Sequence, residues 1–91
     1  MAGYERNAIL NDLKSSILEV TFTKVDGTRR IMHCTLMPEH LPTNTDLDHL
    51  DKQHEVKKNQ DVCVCWDMRE HGWRSFKAST VLYVQEASTQ S

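Results

Sequence analysis

The C-terminal third of the chain holds three short strand-like runs, Asp61-Val-Cys-Val-Cys-Trp-Asp67, Trp73-Arg-Ser-Phe76 and Val81-Leu-Tyr-Val84, separated by polar turn material. They read as the closing strands of a small β barrel, an architecture that serves as a binding scaffold more often than as a catalyst. Neither a nucleophile, an acid pair nor a phosphate loop is set beside them in the sequence. With 91 residues there is room for a single domain, 1–91, and one modest core, because a chain this short buries a smaller share of its surface than a large enzyme does.

The remaining elements follow from spacing. Ile9, Leu10, Leu13 and Ile17 recur three and four residues apart and predict an amphipathic helix over about 4–16. From Leu18 the period becomes two: Leu18, Val20 and Phe22 alternate with Glu19, Thr21 and Thr23, the pattern of a strand with one buried face. Asp26-Gly27 supplies the hairpin turn. The returning strand, Thr28 to Leu36, should turn Met32, Cys34 and Leu36 inward and Ile31, His33 and Thr35 outward. Pro38 and Pro42 then end the ladder.

Residues 43–59 are polar and charged, with Leu47, Leu50 and Val56 spaced along them. They read as a long excursion containing one short helical turn, with Asp46 or Asn44 available as its cap. In the next strand, alternation separates Val62, Val64 and Trp66 from Cys63, Cys65 and Asp67, and the valines and tryptophan are the expected core set. Ala78 to Thr80 fits a 3₁₀ turn before the last strand, and residues 86–91 a flexible tail. The sum is a mainly β chain, a small SH3-like barrel of about five strands over 17–85 preceded by an α-helix.

Charge narrows the partners. A net charge of −2 gives the whole molecule no long-range pull toward nucleic acid or an anionic membrane. Acidic residues crowd 39–61, whereas Arg29, Arg30, Arg69, Arg74 and Lys77 lie in or beside the barrel strands and leave room for one basic patch. No apolar run approaches the roughly 20 residues needed to span a bilayer, and the N-terminus lacks an apolar signal core, so a soluble, intracellular protein is expected. Three cysteines make a poor disulfide framework, and reduced thiols are expected. Cys-x-Cys on a regular strand lacks the turn that lets both sulfurs face one zinc ion, and neither Cys63 nor Cys65 has a local base to activate it. No cofactor is expected; a zinc-stabilised or cysteine-dependent domain ranks third among the readings.

The stretch Glu19–Leu36, the Pro38-to-Pro42 segment, the Val62–Trp66 strand and above all Trp73-Arg-Ser-Phe76 with Val81 resemble a family of small phage-encoded proteins that share a domain of unknown function. The resemblance covers about residues 16–85. It implies an SH3-like β-barrel fold and an accessory role in a bacterial virus, located in the host cytoplasm, and it carries over no catalytic residue. The resulting expectation is a non-enzymatic module that binds a host or viral protein. Its contacts would be Trp73, Arg74, Arg69 and Tyr83, with Arg29 and Arg30 as a secondary basic patch. A small nucleic-acid-binding barrel using the basic residues is the alternative, and an open barrel edge would offer a template for a homodimer.

Overall fold

The structure, a computed structural model, describes residues 4–56 and 61–87, with the backbone alone at His54 and Val56. Its elements in chain order are α1 (Arg6–Leu13), β1 (Leu18–Thr23), β2 (Arg29–Thr35), α2 (Leu47–Val56), β3 (Val62–Asp67), β4 (Gly72–Lys77) and β5 (Val81–Glu86). Single 3₁₀ turns at Pro38–His40 and Ala78–Thr80 link them. The strands form one antiparallel sheet in the order β4-β3-β2-β1-β5. Phe22 of β1 and Phe76 of β4 are two strands removed from being neighbours, yet their rings stack with centroids 5.5 Å apart. Only a strongly curled sheet brings them together, as a small barrel requires.

The β1–β2 hairpin forms where the period-two pattern meets Asp26-Gly27. Gly27 sits at φ +92°, a backbone conformation that glycine adopts without steric cost. Asp26 Oδ1 accepts bonds from the Thr28 amide (3.1 Å) and hydroxyl (2.7 Å). These two bonds hold the Asp26 carboxyl below its usual range.

Helix α1 stops an end of the barrel. Ile9, Leu10 and Leu13 are buried, and Arg6 Nε donates to Val62 O at 2.9 Å at the start of β3. The helix runs Arg6–Leu13, shorter than the span of the apolar spacing. Its C-terminal end is tied to β2 by Thr35, which is fully buried rather than outward-facing. The hydroxyl lies 2.9 Å from Ser16 O and 3.2 Å from Leu13 O and accepts from the Met37 amide at 3.0 Å, while Leu36 N donates to Leu13 O at 2.9 Å. Leaving helix-end carbonyls buried without donors is costly, and that need outweighs strict alternation at this position.

Two further expectations are corrected. The segment after Pro42 is an ordered helix rather than an excursion with a single turn: Asp46 caps α2 through its side chain to His49 N (3.1 Å), and its carbonyl accepts from Leu50 N (3.1 Å). Leu50 is buried in the same core cluster as Leu36 and Leu41. Residues 57–60 of that segment lie outside the described residues. On β3, Cys63, Cys65 and Asp67 face inward, and Val62, Val64 and Trp66 form the half-buried outer face. The interior at this level is narrow, with Cys34, Cys63 and Cys65 all fully buried, and small thiols pack there as compact apolar groups. At the other end of the chain, β5 extends through Glu86 and Ala87 N donates to Ile17 O at 2.8 Å. The remaining tail, 88–91, lies outside the described residues. Among the described residues no helix is long and apolar enough to cross a membrane.

Replacing Thr35 by valine, which keeps the shape and removes the hydroxyl, should lower stability by about 1–3 kcal/mol. Thr35→Ser should recover most of the loss. Urea unfolding midpoints of the three proteins measure both effects.

Candidate functional site

The β2–β3 ladder is short. It pairs Cys34 with Asp67 and Thr35 with Trp66, and one more bond, Met68 N to His33 O at 2.8 Å, extends it into the turn. Towards its N-terminal end β2 parts from β3, and the β3–β4 turn stands over the gap. Asp67 anchors this arrangement. Its side chain is 2 % exposed; Oδ2 accepts from Arg30 Nη2 at 2.9 Å. Its Oδ1 accepts from the amides of Arg69 (2.9 Å) and Glu70 (3.0 Å). A buried carboxylate needs its lone pairs occupied, and here one oxygen holds β2 and the other shapes the turn. His71, at φ 54°, completes the turn in the left-handed region.

The gap is a cleft of about 440 Å³ lined by Arg30, Met32, His33, Asp67, Arg69 and Arg74 among others. Arg74 also lines a second cleft, of about 510 Å³, between β4 and the segment that carries Asn44, His49, Leu50 and Gln53. Trp73 forms part of its wall, 38 % exposed, and meets Trp66 edge to face with centroids 5.3 Å apart and planes at 76°. Arg74 is held between the clefts by its bond from Nη1 to Trp73 O, 2.9 Å. A Cβ at Gly72 would lie 2.9 Å from that same Nη1, so the missing side chain of Gly72 makes room for the guanidinium.

Of the six contact residues expected from sequence, Arg30, Arg69 and Arg74 gather on the first cleft, while Trp73, on the outer face with Trp66, walls the second, which shares Arg74 with it. Arg29 does not join them. Successive strand residues face opposite ways, so Arg30 turns to Asp67 while Arg29 is exposed on the other face. The two arginines are not one patch. Tyr83 lies on β5, at the opposite edge of the sheet order from β4, and its hydroxyl donates to Gln85 Oε1 at 3.2 Å. Gln85 in turn donates to Glu19, and His33 Nε2 lies 3.2 Å from the other oxygen of Glu19. Asp67 and His33 are the site residues that sequence reading missed. The signal available for Asp67 was an acidic residue at a strand end, two and three positions before the amides of a turn.

The matching family model is described as having an Sm-like SH3 beta-barrel fold, and it spans residues 6–82. The chain belongs to the WYL_2 family. The family's fold accounts for the curled five-stranded sheet. Among curated proteins and among solved structures, none matches the chain.

The cysteines of this WYL_2 protein lie away from the clefts, in the core. Burial pushes the Cys63 thiol up to about 12, and a hydrogen bond with Cys34, reinforced by burial, holds the Cys65 thiol well above its ordinary range. Among the described residues no group of three or more His, Cys, Asp or Glu side chains is placed to hold a metal ion.

Two measurements follow. Arg30→Gln should cost about 2 kcal/mol in urea unfolding, because it removes a charged partner from a buried carboxylate while solvent still reaches this rim. For Cys63, a raised folded-state value means that its contribution to stability is complete below the unfolded thiol value of about 8.5. That contribution is lost as pH rises toward about 12. Stability should fall over that window, and Cys63→Ala should show a shallower fall when urea midpoints are plotted against pH.

Proposed function

We propose that the protein is a non-enzymatic binding module, an accessory protein of a bacterial virus, that occupies the surface of a host or viral protein in the host cytoplasm. The observation that carries this reading is the pair of clefts that share Arg74, one lined by Arg30 and Arg69 and the other walled by the exposed Trp73 of the edge strand β4. Interface hot spots are rich in tryptophan and arginine, and a positive rim favours an acidic partner through faster, better-oriented encounter.

The β4 edge supports the same reading. Ala78 N donates to Asp61 O, so alternation along the β3–β4 ladder turns the peptide groups of Trp73, Ser75 and Lys77 away from β3. Trp73 O is occupied by Arg74, and Lys77 O by the Thr80 hydroxyl at 2.7 Å. The amides of Trp73 and Lys77 and the whole peptide group of Ser75 between them face outward, placed to pair with an extended partner segment.

A second reading, contact with single-stranded nucleic acid, is favoured by the three arginines beside an exposed aromatic ring. Affinity capture from host and infected-cell lysates at low and high salt separates the two. A protein retained at both salts, and lost at least about tenfold on Trp73→Ala, supports the binding-module reading. Nucleic acid held at low salt and released at high salt supports the second. Trp73→Ala should keep the fold, since the aromatic contact with Trp66 contributes only about 0.5–1.5 kcal/mol beyond area burial.

A further inference from the structure

We infer that the arginine cleft between β2 and the β3–β4 turn is a binding site for the phosphate group of a small phosphomonoester, whose organic part lies in the adjoining Trp73 cleft. This goes beyond the protein-binding reading and does not depend on it.

The donors are of the right kind and number. Arg30, Arg69 and Arg74 line the cleft, and the planar fork of a guanidinium matches phosphate oxygens. Two carboxylates also line it, Asp67 and Glu70, but Asp67 already has both oxygens engaged, by Arg30 and by the turn amides. Arg30 uses one of its five donors in that bond. Three guanidiniums against two carboxylates leave a positive balance, with one carboxylate internally committed.

Two further features of the cleft are unspent. His33 lines it, and its Nδ1 is buried without a hydrogen-bond partner among the described residues. With Nε2 turned to the Glu19 carboxylate, Nδ1 is shielded from solvent, and a turn of the ring toward the cleft would let it accept from a phosphate hydroxyl or, when the ring is charged, donate to a phosphate oxygen. The second is the backbone of β2. His33 O accepts from Met68 N, so alternation points the peptide group of Ile31 the same way, beyond the end of the β2–β3 ladder and towards the cleft that Ile31 lines. An orphaned buried polar atom and an unladdered peptide beside three arginines are the features an oxyanion satisfies together.

Arg74 joins this cleft to the one walled by Trp73, where Asn44, His49 and Gln53 offer hydrogen bonds. At about 440 and 510 Å³, each is within the usual size range of small-molecule sites. An attached planar group, as in a nucleoside monophosphate, would reach the tryptophan cleft past Arg74, the residue that the two clefts share.

The test is titration of the full chain at low ionic strength with inorganic phosphate, adenosine 5′-monophosphate and adenosine, followed by heteronuclear NMR and calorimetry. Shifts should map to Arg30, His33, Arg69 and Arg74 with phosphate and extend to Trp73 with the monophosphate, which should bind more tightly than phosphate. Arg69→Gln and Arg74→Gln should each weaken binding about tenfold, the scale of one charge-assisted hydrogen bond. Arg29→Gln, equal in charge change but outside the cleft, should not. Gly72→Ala, which displaces the Arg74 guanidinium without removing its charge, should weaken binding in a protein that remains folded by its amide spectrum. Adenosine binding as tightly as its monophosphate, equal loss on Arg29→Gln, or no binding by either phosphate compound would overturn the assignment. So would binding confined to a single-stranded oligonucleotide.

Discussion

A single buried carboxylate organises the cleft-bearing end of this barrel. Asp67 closes β3, and its two oxygens do different work: one holds Arg30 on β2, the other fixes the amides that begin the turn into β4. Taking a carboxylate out of water is unfavourable unless its acceptors are filled, so the sequence around it is tightly constrained. The clasp also decides where β2 and β3 separate. Without it the turn carrying Arg69 would be tied to β2 through the backbone bond from Met68 N to His33 O, and the wall of the cleft would be less firmly held.

The rest of the fold supplies the rigid frame on which that clasp acts. A chain of 91 residues has little apolar area to spend, and the interior is accordingly narrow, filled by Val20, Met32, Phe22 on Phe76, and the three thiols. Helix α1 and the buried Thr35 hydroxyl close one end of it. With the core so committed, the polar chemistry is displaced to the rim, where Arg74 stands between two clefts and Trp73 remains accessible. The interior is thus apolar and closed, and the charged and aromatic groups stand at the rim.

Much of the architecture was legible because local signals and global fold agree. The period change at Leu18, the Asp26-Gly27 turn and the alternating run around Met32 and Cys34 each define an element without tertiary information. Sequence patterning failed where a hydrogen bond outweighed hydropathy. Thr35 is buried to satisfy carbonyls at the end of α1 and in the turn after it, and Asp67 to hold Arg30 and the amides of an exposed turn. On β3, ranking by apolar size put Val62, Val64 and Trp66 inside, whereas the inward positions, one of them opposite Phe76, are filled by the smaller cysteines. For the site, Trp73 and Arg74 were readable from an aromatic after a glycine turn. The separation of Arg29 from Arg30 follows from strand alternation, but Tyr83's distance depends on sheet order, which no local pattern encodes.

Amide hydrogen exchange at Arg69 and Glu70 tests the central role of Asp67 most directly. Both residues are themselves exposed, in a turn, and an unanchored turn would exchange freely. If the Asp67 carboxylate holds the two amides as described, they will be protected well above loop values in the native protein and lose that protection in Asp67→Ala. Exchange at both amides as fast as at the exposed Val25 hairpin tip in the unmodified chain would contradict it.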